Sequence, residues 1–374
     1  MRRPLWTRSG ATLPSGFAAF LALGASAAAW GAALPWLRVR YDLGTGGGEE
    51  VISAYNLGAL VAILACGLLS RRLRPRPVLA GSLVALGGGL TAAALAPTWA
   101  FLLVGAVVGG VGFGGAVLVL NTGYAAGPRG VVMVNLVNAV FGVGAIAAPL
   151  LVAEWDLPAV LVAIACAAVV ALPVVAGPVG AHTPTPPVDR ATVVAIAPFA
   201  VIGFLYAGVE TSAGAWVSTH LTWTGTDPDA AARMTALFWA GLAVGRVVIS
   251  LVARSPEVIV PASFLLATAG LVTAVNPALA PIGYTLTGLG LAPIIPTALV
   301  WLARITPHAH LAGSALLTSS MLGNVIHPVL VGTVTTRDHP ATIPLAITTY
   351  ATLGVLAALW TSRHRRIPVA LSTT

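Results

Sequence analysis

The chain is a succession of apolar segments, each about as long as a membrane-spanning helix. Twelve such segments follow one another along its 374 residues. A helix of roughly 20 residues crosses a hydrocarbon layer about 30 Å thick, and it forms all of its backbone hydrogen bonds within the segment, as a layer without water requires. The segments predict an all-α membrane protein with twelve transmembrane helices, at 17–38, 51–70, 77–96, 99–121, 131–153, 158–177, 192–217, 230–253, 257–276, 278–303, 311–335 and 341–361.

The composition excludes a soluble globular domain. Only 8% of the residues are charged, whereas a soluble domain has about a quarter. The basic residues are all arginine, so no lysine is present for a Schiff base or a phosphate-binding loop. We therefore expect neither ATP-driven chemistry nor a cofactor. Cys66 and Cys166 lie in apolar segments and are expected to be small buried side chains, with no disulfide or metal site.

The net charge of +8 is explained by membrane topology. If the N-terminus is cytoplasmic, the connections on that side hold about fourteen arginines and about two acids. The other side, which includes Arg38 and Glu49, holds about four arginines and about eight acids. Both termini are thus predicted to be cytoplasmic, in a plasma (inner) membrane. The basic excess no longer argues for nucleic-acid binding.

A proline-rich stretch and an internal repeat divide the chain into two. Residues 178–191 are predicted to be a cytoplasmic linker between six-helix bundles at 1–177 and 192–374, because their prolines cannot continue a helix. Two strings recur six spans later: Gly144–Pro149 as Gly323–Pro328, and Tyr55–Gly58 as Phe238–Gly241. A repeat of this kind predicts two bundles in the same orientation, with a substrate site between them near the midplane.

With this repeat, the chain resembles the major facilitator superfamily of secondary transporters over nearly its whole length. The loop after the second span lies where that superfamily has a Gly-x-x-x-Asp-Arg-x-Gly-Arg-Arg signature. The fitting positions are Gly67, Arg72 and Arg76, and the departures are Arg71, Arg74 and Pro75. Arg71 stands where the signature has its acid.

Four short stretches resemble the fucose/galactose/proton symporter group of that superfamily: Phe204–Glu210 followed by Trp216, Asn135–Pro149, Gly245–Arg246 and Gly288–Pro296. The resemblance implies alternating access, a sugar or polyol-like substrate and proton symport. Sugar symporters of that group use acids in the first and fourth spans. Here Phe17–Trp36 and Trp99–Asn121 contain none.

Two ionisable side chains, Glu210 and Arg246, lie well inside predicted spans. A charge at a helix centre costs at least about 2.5 to 3.5 kcal/mol, so both should face the protein interior or a water-filled cavity. We expect Glu210 to carry the coupling proton and Arg246 to tune it or to hold substrate; the alternative is that each only locks helices. Counted from the span centres, they lie about 15 Å apart in depth, so direct contact would require extended side chains, other span limits than those predicted, or unwinding near Gly208 and Gly214.

A second set of polar and aromatic side chains lies inside the spans. Amides offer the hydrogen bonds that a sugar or polyol needs, and indole rings stack on its apolar face. Hydrogen bonding between helices is the alternative for each of them, and His327 in particular is expected to be a structural donor. The candidate substrate-binding residues are Asn56, Asn121, Asn135, Asn138, Tyr206, Trp216, Trp239, Asn324 and His327.

The sequence thus predicts a monomeric secondary transporter of a small polar solute, coupled to protons and embedded in the lipid bilayer. A drug or metabolite exporter is the first alternative, because Gly144–Pro149 partly resembles an antiporter signature. A polytopic membrane enzyme or receptor is the second. The loops contain no nucleophilic residue paired with a general base and no cluster of metal ligands, which argues against the enzyme.

Overall fold

The computed structural model describes residues 12–44, 47–68, 74–125, 130–176, 190–249, 255–305 and 309–364. These residues contain no strand. Their α-helices are α1 Thr12–Arg40, α2 Glu50–Leu68, α3 Pro75–Ala94, α4 Trp99–Ala125, α5 Gly130–Glu154, α6 Leu157–Val170, α7 Arg190–Trp223, α8 Pro228–Ile249, α9 Pro256–Ala274, α10 Ala280–Leu291, α11 Ile294–Ile305, α12 Ala309–Val334 and α13 Thr342–His364. Short 3-10 helices occupy Leu172–Ala176 and Pro277–Leu279.

Every predicted span coincides with helical structure. Among the described residues, eleven segments are long and apolar enough to cross a membrane, and Glu50–Cys66 of α2 is a shorter apolar helix. The all-α membrane fold is therefore confirmed. Exposed apolar side chains such as Val104 and Leu265 cover the outside of these helices, where a bilayer would replace water as their solvent.

The tenth span is two helices, not one. Helix α10 ends at Leu291 and α11 begins at Ile294, and Pro293 lies between them. Proline has no backbone N–H to donate, and its ring clashes with the carbonyl four residues earlier. Conversely, α7 is continuous through Gly208 and Gly214, where the sequence allowed for unwinding. Both of these glycines instead make room for aromatic side chains, as described below.

The repeated strings make equivalent packing contacts in the two bundles. A Cβ at Gly144 of α5 would overlap the carbonyl oxygen of Leu21 in α1, and a Cβ at Gly323 of α12 would overlap that of Phe204 in α7. Both glycines bring the fifth helix of a bundle against the first. The spacing that the sequence repeats is therefore the spacing of one helix contact made twice.

The second pair of strings behaves in the same way. A Cβ at Gly58 of α2 would overlap the carbonyl oxygen of Val107 in α4, and a Cβ at Gly241 of α8 would overlap that of Thr285 in α10. Here the second helix of each bundle packs against the fourth. Such contacts need glycine because helix backbones approach this closely only where no side chain intervenes.

Some sequence predictions lie outside the described residues. The linker at 178–191 is outside up to residue 189, and its last two residues begin α7. The signature loop is outside at residues 69–73, which include Arg71 and Arg72. The cysteine prediction is half wrong, because Cys66 is buried but Cys166 is exposed on α6. Cys166 lies on the outer side of an apolar helix, where lipid can cover it without protein packing.

Replacing Gly110 of α4 by alanine is expected to destabilise the protein by about 1 to 3 kcal/mol, because the new methyl group would overlap the backbone of Tyr55 in α2. The matched control is Gly88→Ala in α3, where nothing lies within 4 Å of the new atom. That control should leave stability unchanged or raise it by up to about 1 kcal/mol. Thermal unfolding of the two purified variants in detergent makes the comparison; equal melting temperatures would contradict the packing argument.

Candidate functional site: a polar cleft between the halves

The N-terminal half (α1–α6) and the C-terminal half (α7–α13) meet toward one face of the membrane, the face at which α1 ends. We call it the Arg38 face and the other the opposite face. The closest approach is between α1 and α7, where a Cβ at Gly31 would overlap the carbonyl oxygen of Gly214. One residue further toward the Arg38 face, the carbonyl oxygen of Ala32 accepts a hydrogen bond from the Ser218 hydroxyl at 3.3 Å.

Two further pairs of helices join the halves near the same face. The Ser53 hydroxyl of α2 donates to the carbonyl oxygen of Val325 in α12 at 2.6 Å. At the ends of α5 and α8, Glu154 and Arg233 form an ion pair of 2.9 Å, beside an apolar cluster that includes Ala32. These contacts close the molecule at the Arg38 face.

Polar side chains lie about one helical turn beyond each contact, toward the opposite face. On α7, Glu210 precedes Gly214 by four residues. On α8, Arg246 follows Ala243 by three, and Ala243 lies against Gly142 of α5. The spacing places each charged residue on the face of its helix that turns toward the other half. Both side chains are only partly buried.

Amide side chains on three other helices also lie within about one helical turn of a contact between the halves. Asn138 precedes Gly142 on α5 by four residues, Asn56 follows Ser53 on α2 by three, and Asn324 adjoins Val325 on α12. All three amides are half-buried. Half-buried polar groups one turn below a closed contact describe a cleft between the halves that opens toward the opposite face.

Glu210, Tyr206 and Arg246 form the charged centre of this cleft. Glu210, Arg246 and Tyr206 are close enough to one another to interact electrostatically. Glu210 lies 13 residues before the end of α7 and Arg246 18 residues after the start of α8. Their depths below the Arg38 face are about 20 and 27 Å, so they differ by about 7 Å and not by the 15 Å estimated from the sequence. No unwinding is needed.

The C-terminal half adds an indole and an amide beside Glu210. The ring of Trp239 packs on Gly214, whose Cβ would lie 3.0 Å from it, and the indole N–H has no hydrogen-bond partner among the described residues. Thr211 donates to Asn324 at 2.5 Å. Thr211 was not predicted, and no sequence signal distinguishes it from the other hydroxyl residues of the spans.

The N-terminal half contributes amides to the cleft. Asn138 donates to the side-chain oxygen of Asn121 at 3.3 Å and to the carbonyl oxygen of Val134 at 2.8 Å. The amide of Asn56 donates to the carbonyl oxygen of Ile52, which leaves its own side-chain oxygen for other partners. Asn135 lies in α5, but its side chain is outside the described residues.

His327 and Trp216 lie away from the cleft. His327 is 2% exposed; it bonds the carbonyl oxygen of Gly323 at 2.9 Å and packs between the rings of Phe204 and Tyr350. A Cβ at Gly208 would lie 2.7 Å from this ring, which explains the glycine. His327 therefore packs helices together. Trp216 is fully buried at the Arg38 face, where its N–H donates to the carbonyl oxygen of Pro328 at 3.1 Å.

Arg38 and Glu49, which the sequence counted among the charges of one membrane side, are buried. Arg38 is 8% exposed and Glu49 is 4% exposed. Nothing in the sequence marks them, because both adjoin a short connection of the kind that normally faces water. Within the described residues, no group of three or more histidine, cysteine or acidic side chains is arranged to hold a metal ion.

Solved structures with this architecture superpose on nearly the whole chain. The nucleoside transporter NupG superposes with a TM-score of 0.69 at 14% identity, over 95% of this chain and 100% of that one. A D-xylose–proton symporter gives 0.71 at 14% identity, over 94% and 96%. FucP, a major facilitator superfamily transporter in the outward conformation, gives 0.64 at 17% identity, over 96% and 99%.

Similarity at this level of identity identifies the fold and not the substrate. No known protein-family model matches the chain, and no curated protein matches its sequence. The fold that the sequence resemblance implies is nevertheless confirmed, and the major facilitator superfamily transporter FucP is among the matches. The chain has the fold of the major facilitator superfamily of transporters.

Proposed function

We propose that this protein is a secondary active transporter that moves a small polar solute, of the sugar or polyol kind, by alternating access and with proton coupling. The observation that carries the proposal is the cleft. It lies between two repeated bundles, is closed at one face by contacts between the halves, and presents Glu210, Arg246 and several half-buried amides. Rocking of the halves about such a cleft exposes it to each side in turn.

A neutral polar solute matches the groups in the cleft. Asn56, Asn138 and Asn324 supply donors and acceptors, and the unpartnered N–H of Trp239 supplies another donor beside an aromatic face. Buried polar groups without partners cost free energy, so a solute that satisfies them binds more tightly than one that does not. Sugars and polyols combine many hydroxyl groups with an apolar face that stacks on indole.

Glu210 is the proposed proton carrier and Arg246 its partner. A carboxyl group changes its proton affinity when its hydration and its distance from a cation change. Rocking of α7 with the C-terminal half changes both, because the cleft is wet in one state and closed in the next. Helices α1 and α4 hold no acid within their apolar parts, so the coupling role of the fucose-group acids falls to α7 in this chain.

The positive-inside rule supports an orientation with the Arg38 face outside and both termini in the cytoplasm of a plasma membrane. The conformation described here is then the inward-facing one. We propose that the monomer is the working unit, since one chain supplies both halves of the cleft. The matched structures are all transporters, which favours transport over a membrane enzyme or receptor. An exporter with the same fold is the second candidate, supported by the partial antiporter signature at Gly144–Pro149.

Replacing Glu210 by glutamine is expected to abolish proton-driven accumulation and to leave counterflow of the same solute intact, because glutamine keeps the shape but cannot exchange a proton. Uptake and counterflow in proteoliposomes with an imposed pH gradient make the measurement. The control is Asp229→Asn, which removes an exposed acid at the start of α8 and should change neither process. Uphill accumulation by the Glu210 variant would refute proton carriage at this residue.

Thermal-shift screening identifies the solute class. A ligand that binds only the folded protein at 100 times its Kd stabilises it by about 2.7 kcal/mol, and we expect sugars or polyols to raise the melting temperature. Trp239→Ala should reduce that shift, whereas Trp360→Ala, which removes an exposed indole on α13, should not. A shift with hydrophobic cations alone would replace the sugar proposal by the exporter.

A further inference from the structure

A buried arginine and a buried glutamic acid lie where the two halves close. Arg38 stands near the end of α1, and Glu49 lies in the connection before α2. The guanidinium Nε donates to the carbonyl oxygen of Gly47 at 2.7 Å, and Nη1 donates to the hydroxyl of Thr219 on α7 at 2.7 Å. Arg38 therefore ties α1 and the connection, which belong to the N-terminal half, to α7 of the C-terminal half.

Two indole rings of α7 enclose the same guanidinium. Its carbon Cζ lies 5.1 Å from the centroid of Trp216 and 5.6 Å from that of Trp223. A cation over an aromatic face is attracted to it, and the attraction is larger where water is excluded. These rings lie across the boundary from Arg38, so separation of the halves at the Arg38 face would break both ring contacts. It would also expose the hydrogen bonds of Arg38 to Thr219 and Gly47 to water.

The enclosure leaves polar atoms unsatisfied. Arg38 Nη2 and Glu49 Oε2 are buried and have no hydrogen-bond partner in the part of the chain that the structure describes. An ionised carboxylate with an unsatisfied buried oxygen is unstable unless it is compensated, and a protonated carboxyl avoids most of that cost. Glu49 interacts with Arg38, whose partners on α7 belong to the other half, so separation of the halves would admit water to Arg38 and to the carboxyl close to it. The carboxyl of Glu49 thus has one preferred charge state in the closed arrangement and another in the open one.

We propose that Arg38 and Glu49 form a proton-dependent gate, in which Glu49 takes up a proton as the halves close at the Arg38 face and releases it as they separate. This proton site is distinct from Glu210, which lies about 14 Å deeper along α7 than Thr219, the partner of Arg38. The inference rests on the alternating-access function proposed above. It requires neither a particular solute nor proton carriage by Glu210.

The sign of the pH dependence follows from Glu49. Burial raises its pKa from 4.5 to about 7; its own backbone N–H and Arg38 act to lower the pKa, and Glu50 acts to raise it. In water the carboxyl returns to about 4.3. Between these two values the closed form holds one more proton than the open form, so a falling pH favours closure. From pH 8 to pH 6 the ratio of closed to open protein should rise about tenfold.

Other charged and titratable groups near the gate are few. Glu50 is exposed and accepts a hydrogen bond from the backbone of Gly48 at 2.7 Å. From α7, the residues that contact Arg38 are neutral. His220, the neighbour of Thr219, bonds Tyr284 of α10 at 3.1 Å inside the C-terminal half. Glu49 is therefore the group whose charge the closure of the halves most directly controls.

The gate is tested by distance measurement in the whole protein. Spin labels on Leu95→Cys and Asp338→Cys, two exposed positions in connections of different halves at the Arg38 face, report its opening after Cys66 and Cys166 are replaced by alanine. Double electron–electron resonance in nanodiscs at pH 8 and pH 6 gives the open and closed populations without any solute. We expect the closed-to-open ratio to rise about tenfold at the lower pH.

Two variants locate the sensor. Glu49→Gln, which mimics the protonated carboxyl, should remain mostly closed and lose the pH response, whereas Glu50→Gln should keep it. The proposal is overturned if the parent protein shows no response, if Glu49→Gln retains it, or if Glu50→Gln loses it. A failure of the transport proposal would appear as absent solute flux, which these distances do not depend on.

A second pair of variants tests Arg38. Arg38→Gln should increase the open population at both pH values, because Gly47, Thr219 and the two indole rings lose their common partner. Arg40→Gln removes an exposed arginine from the same helix end and should leave the populations unchanged. Equal populations in the two variants would refute the part assigned to Arg38.

Discussion

Close contact between helix backbones at glycine is the interaction on which the rest of this structure depends. Lipid offers no hydrophobic drive to bring apolar helices together, so close packing must supply the attraction. Within each half, glycines set the fifth helix against the first and the second against the fourth, through Gly144, Gly323, Gly58 and Gly241. Between the halves, Gly31 and Gly214 bring α1 against α7 near the Arg38 face. The half-buried polar side chains of the cleft lie beyond that contact, toward the opposite face.

The charged side chains lie in two places relative to these contacts: in the cleft beyond them, and in the buried region at the Arg38 face. Arg246 and Glu210 lie just beyond the closed contacts, near Tyr206, and remain partly accessible. Arg38 and Glu49 lie on the other side of the same contacts, where both are almost completely buried. Each pair joins an arginine to an acid and includes an aromatic neighbour. The two pairs differ in what rocking would do to them: motion that opens one to water encloses the other.

Much of this arrangement could be predicted from the sequence. Span lengths followed from the thickness of a bilayer, and the repeated glycine and proline spacings indicated two equivalent bundles before any contact was known. Glu210 and Arg246 stood out because charge inside an apolar span is costly. The prediction failed where a contact depends on the third dimension. Trp216, His327 and Asn138 all lie within spans and have side chains that can form hydrogen bonds. Of these three, only Asn138 lies one turn beyond a contact between the halves.

The sequence by itself determined that the chain crosses a membrane as apolar helices in two repeated sets, because hydrocarbon thickness and backbone hydrogen bonding allow little else. Only the tertiary structure decided which polar residues face the cleft and which charges are enclosed. Arg38 and Glu49 lie in a stretch that resembles an ordinary solvent-facing connection, yet α7 of the other half encloses Arg38, and Glu49 is buried close to it. Burial of that kind is a property of two distant segments together, and neither segment carries a sign of it alone.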